Sequence, residues 1–286
     1  MSAYLTHLLI LISIYAILAL SLNLAMGYTG LFNVGHIAFF GIGAYASALL
    51  ALKFGLPFGL AIIAAGMVAA LSGWLISFPT LKLKGDYLAI GTLGIAIVIE
   101  SVERNWTALT RGPLGLPGIS RPMIFSSLFS YLILAIVVVV LTYIIIRQLT
   151  ATPFGRVLKA IREDEVAAQS MGKNTIKYQT IVLVVSAFFA GLAGSLYAHY
   201  ITYIDPSAFS LMEAILVFSM VIIGGIASNK GAVIGAAILI LLPEPLRFIG
   251  FPSSMLGPLR QMIYSAILVL LILKRPQGLV GEYKFR

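Results

Sequence analysis

The chain has 286 residues, of which 60% are hydrophobic and only 10% charged, and it carries a formal charge of +9. A soluble domain has about a quarter charged residues, so composition excludes an ordinary soluble protein. The absence of cysteine excludes disulfides and thiolate metal sites.

Apolar runs of ~18 residues or more recur along the whole length, which predicts membrane-spanning helices. Short alternating segments, the mark of a membrane barrel, are missing. The expected fold is an all-α polytopic membrane protein forming one domain over residues 1–286, with eight or nine transmembrane helices, some of them broken. Basic residues lie in the loops, where they set topology, so the positive charge does not call for nucleic acid.

The first predicted span is Tyr4–Met26; the run is long enough to cross and lacks the basic leader of a cleaved signal. Gly27–Gly30 reads as a break. The second span, Leu31–Leu52, is dense in Gly35, Ala38, Gly41, Gly43, Ala44, Ala46 and Ala48, small residues that let helix backbones approach closely in lipid. Pro57–Ser77 and Tyr87–Val102 are the third and fourth spans, joined by a charged turn. Residues 104–127 hold prolines, glycines, arginines and Trp106, and predict an ordered loop outside the membrane. Leu128–Ile146 is the fifth span. The sixth, Tyr178–Tyr200, has Ala187, Gly191 and Ser195 at four-residue spacing, a predicted close-packing face. Met212–Ala227, Gly231–Leu242 and Leu259–Leu273 complete the series, with Gly224–Gly231 read as an ordinary turn. Placing 149–177 inside the cell puts thirteen of the nineteen Lys and Arg residues there, which satisfies the positive-inside rule and predicts a cytoplasmic C-terminus.

No phosphate-binding loop, nucleophile elbow or metalloprotease pattern occurs, so no catalytic residue is expected. His7, His36 and His199 have no metal spacing, and neither a metal nor a cofactor is expected. Polar groups in spans are costly in lipid and face cavities or partners; here these are Asn23, Asn33, His36, Glu100, Glu103, Glu213 and Glu244. Glu100 and Glu103 are expected to be solvated at the outer end of the fourth span. Glu244 is expected to pair with Arg247 at helical spacing. A proton-coupled transporter would need a buried acid, and only Glu213 or Glu244 could serve, neither with an obvious partner within the membrane.

The longest charged segment is Thr152–Gly172. Thr152 before Pro153 predicts a helix cap with proline at the first position. Phe154, Val157, Leu158 and Ile161 recur on one face, with Arg156, Lys159, Arg162 and Glu163 on the other. A basic helix of this kind can lie on anionic lipid. The consecutive Glu163, Asp164 and Glu165 favour docking into a protein cleft instead.

Ala167-Ala168, three residues and Gly172 resemble the coupling motif of ABC importer permeases, in which a glutamate precedes the two alanines; Val166 stands in its place here. GYTGLFNVGHIAFFGIGAY (27–45), LKLKGDYLAIGTLG (81–94), NWTALTRGPLGLPGI (105–119) and RPQGLVG (275–281) extend the resemblance, in order, to the LivM type of branched-chain amino acid permease subunits. The resemblance implies one permease of an ATP-driven importer in the cell membrane. Its implied partners are a second homologous permease, two cytosolic ATP-binding subunits and an external substrate-binding protein, besides the lipid bilayer. It implies coupling to the ATPases through Phe154, Arg156, Lys159, Arg162, Glu163, Asp164, Glu165, Ala167, Ala168 and Gly172. It implies docking of the binding protein on Arg104, Trp106 and Arg111. The path would lie between the permeases, with Asn23, Asn33, His36, Gly41 and Glu100 as candidate lining. Leucine, isoleucine and valine are the implied cargo, with another small solute such as urea, or an ion-gradient-driven carrier, as alternatives.

Overall fold

A computed structural model describes residues 3–245, 253–274 and 277–281. Twelve α-helices are present among them: α1 (Ala3–Thr29), α2 (His36–Phe54), α3 (Phe58–Thr80), α4 (Asp86–Asn105), α5 (Thr107–Thr110), α6 (Leu128–Ala151), α7 (Pro153–Glu163), α8 (Glu165–Ser170), α9 (Thr175–Ile201), α10 (Leu211–Gly224), α11 (Asn229–Leu241) and α12 (Ser253–Lys274). Six of the helices searched are long and apolar enough to cross a membrane: α1, α2, α3, α6, α9, and α10 with the short helical turn before it. The expected eight or nine spans are thus met for six. The helix α11 is apolar but has only 13 residues.

The bundle is built around α1, most of whose length is buried on every side, as its uniformly apolar sequence requires. Around it pack α9, α6, α11 and α10. The α2, α3 and α9 helices form a second tightly packed group. Small residues make that group possible. A methyl group placed on Gly43 would lie 2.5 Å from the carbonyl oxygen of Gly191, and one on Gly191 only 2.5 Å from the Ala69 methyl. Ser47 and Ser195 share a 2.6 Å hydrogen bond between the same two helices. The glycine and alanine faces expected from the second and sixth spans meet each other here.

Several boundaries differ from the expectations. Gly27 continues α1, and the break falls at Gly30–Gly35; Gly30 takes the left-handed conformation (φ 70°). The second helix therefore starts at His36 rather than Leu31. The turn expected at 224–231 is present at residues 225–228, between α10 and α11. The charged segment is two helices and not one: Asp164 adopts extended backbone, and its carboxylate accepts a hydrogen bond from Ala167 N at 2.9 Å, capping α8. Proline occupies the first turn of α7, but the Thr152 hydroxyl donates back to Leu149 O at 2.8 Å rather than capping.

The loop after α4 is ordered by pairing. Leu116–Pro117 (β1) and Tyr203–Ile204 (β2) form a short antiparallel ladder. Arg121 donates through Nη2 to Tyr200 O at 3.0 Å, and His199 Nδ1 meets Ser120 O at 2.8 Å. These contacts tie the loop to the end of α9, opposite the end that carries α7 and α8.

Candidate functional site

The α7–α8 segment projects from one end of the bundle and is anchored from beneath. Leu158 and Ile161 are buried, and Phe154 packs against Tyr178 in a tilted pair with ring centroids 5.2 Å apart. Arg162 turns inward, donating from Nη1 to Gly27 O at 2.7 Å and from Nη2 to Glu163 at 2.9 Å. Glu163 thus pairs with Arg162, its neighbour. Glu165 is also engaged internally: its Oε1 accepts from Thr175 at 3.0 Å and Gln169 at 3.2 Å, tying α8 to the start of α9. Ala168 is buried in the same seam.

What remains on the outside is Arg156, Lys159, Glu163, Asp164, Ala167 and Gly172. Val166 and Met171 join them as large exposed apolar side chains, 63% and 68% exposed. Sequence reasoning passed over both. The available signal was Val166 itself, an apolar residue at the acidic position of the motif, which was read only as a departure from it. An apolar patch ringed by charges is the composition of a docking surface.

At the opposite end, Arg104 in the last turn of α4 and Trp106 and Arg111 just beyond it all lie exposed. Arg104 is paired to Glu100 at 2.8 Å along α4, so Glu100 sits in a surface ion pair. Glu103 departs from expectation: it is only 6% exposed, and neither carboxylate oxygen has a hydrogen-bond partner among the described residues. It lies against Gly41, where an added methyl would come within 2.7 Å of its Oε1.

The five path candidates are dispersed rather than gathered. Asn23 accepts from Ala227 N at 2.9 Å, fixing α1 to the α10–α11 turn. His36 Nε2 contacts Ser21 Oγ at 2.8 Å, and Asn33 is buried in the α1–α2 turn. Gly41 faces Glu103 and Phe209. A cavity of about 750 Å³ opens elsewhere, lined by Tyr15, Tyr197, Glu213, Glu244, Tyr264 and aliphatic side chains of α1 and α10–α12. Glu213, expected to lack a partner, accepts a hydrogen bond from the Tyr15 hydroxyl, halfway along α1. The expected partner of Glu244, Arg247, lies outside the described residues.

A bundle of long apolar helices with an anchored helical protrusion at one end and an ordered loop at the other defines a polytopic membrane protein. The family model for the permease component of branched-chain amino acid transport systems matches residues 4–273. The chain belongs to that family. It is 35% identical to the high-affinity branched-chain amino acid permease protein LivM of Salmonella typhimurium, over 93% of this chain and 68% of that protein. It is 26% identical to LivH of Escherichia coli over 94% and 92%, and 27% identical to the guanosine ABC transporter permease NupQ of Bacillus subtilis over 59% of each. No solved structure matches the chain.

Proposed function

We propose that the chain is one membrane-spanning subunit of an ATP-driven importer, pairing with a homologous permease to form the path for leucine, isoleucine and valine. The likeness to both LivM and LivH supports a two-permease assembly. In this reading α4, α11 and α12 also cross the cell membrane, the α7–α8 end and the C-terminus face the cytoplasm, and ATP is hydrolysed by two partner subunits. An external binding protein docks on the 104–127 loop through Arg104, Trp106 and Arg111.

The observation that carries the reading is the two-sided α7–α8 segment. Its outer face offers Arg156, Lys159, Val166, Ala167 and Met171 to a partner, while its inner face is bonded to α1 and α9. A partner that grips the outer face moves the bundle through the inner one. Coupling requires such a packed element, which a partner can bias between two arrangements.

The test is the paired substitution Arg156→Glu with Val166→Glu in the complete transporter. Both side chains are outside the bundle, so the fold is retained. Loss of ATPase copurification together with loss of leucine uptake is the expected result. Normal association and uptake would sink the docking assignment. Uptake of leucine by this chain alone, in vesicles with only an ion gradient, would replace the importer reading with that of a secondary carrier.

A further inference from the structure

We propose that the α7–α8 end of the bundle holds a site for the phosphodiester headgroup of an anionic phospholipid. A cavity of about 420 Å³ opens between the ends of α6 and α7 and the start of α11. Among the described residues, Arg147, Lys159, Arg162 and Lys230 line it, and no Asp or Glu does. Arg162 is engaged by Glu163 and the Gly27 carbonyl. Arg147, Lys159 and Lys230 form no ion pair among the described residues. Three cations around one concavity raise its potential and favour an anion over water.

Two further features point to a bound group. The first turn of α11 opens on the cavity, and its cap, Ser228, accepts from Gly231 N at 3.1 Å. The N–H groups of the preceding Asn229 and Lys230 belong to the helix turn that has no intrahelical acceptors, and phosphate oxygens bind such groups well. Asn229 lines the same cavity, is only 8% exposed, and its Oδ1 has no hydrogen-bond partner among the described residues. A buried acceptor without a donor is costly. An anion with a hydroxyl attached suits this lining: the phosphate meets the cations, and the hydroxyl lies beside the Asn229 amide, whose Oδ1 is closed to solvent until the side chain turns toward the cavity. The glycerol headgroup of phosphatidylglycerol has this chemistry.

The lipid is favoured over a free phosphate or an acidic partner segment by what adjoins the cavity. Tyr143 and Arg147 stand on α6, whose neighbouring turns expose Val140, Leu141 and Ile144, each 42–53% exposed. Acyl chains laid along that strip bring the headgroup to the cations, and basic pockets between helix ends take anionic headgroups. The inference rests on the proposed orientation only for the leaflet, which is the cytoplasmic one.

The experiment reconstitutes the complete transporter in nanodiscs of equimolar phosphatidylglycerol and phosphatidylcholine, extracts it in mild detergent and weighs the retained lipids by native mass spectrometry. Wild type retains phosphatidylglycerol in excess. Each cation near an anionic headgroup contributes about fivefold, so Arg147→Gln with Lys230→Gln lowers that excess by about 25-fold. Asn229→Asp lowers it as well, yet melts no earlier than wild type, because a carboxylate suits the first turn of a helix. Lys173→Gln, exposed and outside the cavity, changes nothing. Equal retention of the two lipids by wild type, or an undiminished excess in the cation variants, overturns the site. Stabilisation by inorganic phosphate in pure phosphatidylcholine, lost in Arg147→Gln with Lys230→Gln and without any lipid preference, reassigns the cavity to a free anion and overturns the lipid. Loss of ATPase subunits from the same variant at unchanged lipid ratios makes it a protein contact, with the same consequence.

Discussion

Substitution of Gly43 by alanine tests whether backbone contact between α2 and α9 holds the bundle together. The added methyl lies 2.5 Å from Gly191 O and closer still to Gly191 Cα, both backbone atoms in the middle of a 27-residue helix. Carbon contacts are best at about 3.5–4.0 Å, so the helices must part by roughly 1 Å. Neither group can rotate away as a side chain could. Overpacking of this kind costs about 1–3 kcal/mol, and backbone obstruction places it near the upper end. Alanine returns about 1 kcal/mol through its helix propensity. The net loss is about 2 kcal/mol, or roughly 4–8 °C in melting temperature at ~2–4 °C per kcal/mol for a chain slightly smaller than this one. Gly94→Ala is the matched control: it is also in a helix, and nothing lies within 4 Å of its added methyl. Melting of the purified protein in detergent, followed by tryptophan fluorescence, reads both. If Gly43→Ala melts at or above Gly94→Ala, the close-packing argument is wrong.

Asn23→Leu removes the acceptor for Ala227 N–H in a buried turn where Ala227 has φ 62°; a loss of about 1–3 kcal/mol is expected, with faster amide exchange confined first to residues 225–230, and unchanged exchange there would refute it. Tyr15→Phe and Glu213→Leu remove the two halves of one hydrogen bond between α1 and α10. Their melting shifts are expected to be non-additive by about 1 kcal/mol or more, because each single change leaves the other group without its partner; simple additivity would dissolve the pair.

How far the sequence alone could lead is clear from these same residues. That Gly43 and Gly191 belong to close-packing stretches was legible, because small residues are themselves the signal for close helix packing in lipid, but that these two stretches meet each other was not. The division of α7 from α8 was also written in the chain, since Asp164 is a good helix cap three residues before Ala167, but three acids in a row read more readily as a charged face. The buried state of Glu103 was not legible: its surroundings are Gly41 and Phe209, brought from α2 and from the segment before α10. The pairs Tyr15–Glu213 and Asn23–Ala227 join residues 198 and 204 positions apart. Their members announce only that a polar group sits in an apolar run. Which partner satisfies it is decided by tertiary packing.

Those long-range pairs share a helix, and that has a mechanical consequence. Along α1, Tyr15 is bonded to the start of α10, Asn23 to the α10–α11 turn, and the Gly27 carbonyl to Arg162 of α7. The protrusion, the central helix and the wall of the Glu213 cavity are therefore connected in series by three polar contacts along α1. Apolar contacts slide with little directional preference; hydrogen bonds fix position. Arg162→Gln cuts the contact at the α7 end; on the outer face of α7 and α8 it releases Glu163 and leaves Arg156, Lys159, Val166, Ala167 and Met171 as they were. A hydrogen bond from a charged donor is worth about 1.5–3 kcal/mol, enough to weaken the bias transmitted between two arrangements by roughly tenfold or more. In the proposed importer the expected variant still copurifies with the proposed ATP-binding subunits, which still hydrolyse ATP, and the assembly moves about a tenth as much leucine per ATP or less. Unchanged uptake per ATP would mean that the ATPases act on the bundle by a route other than α1.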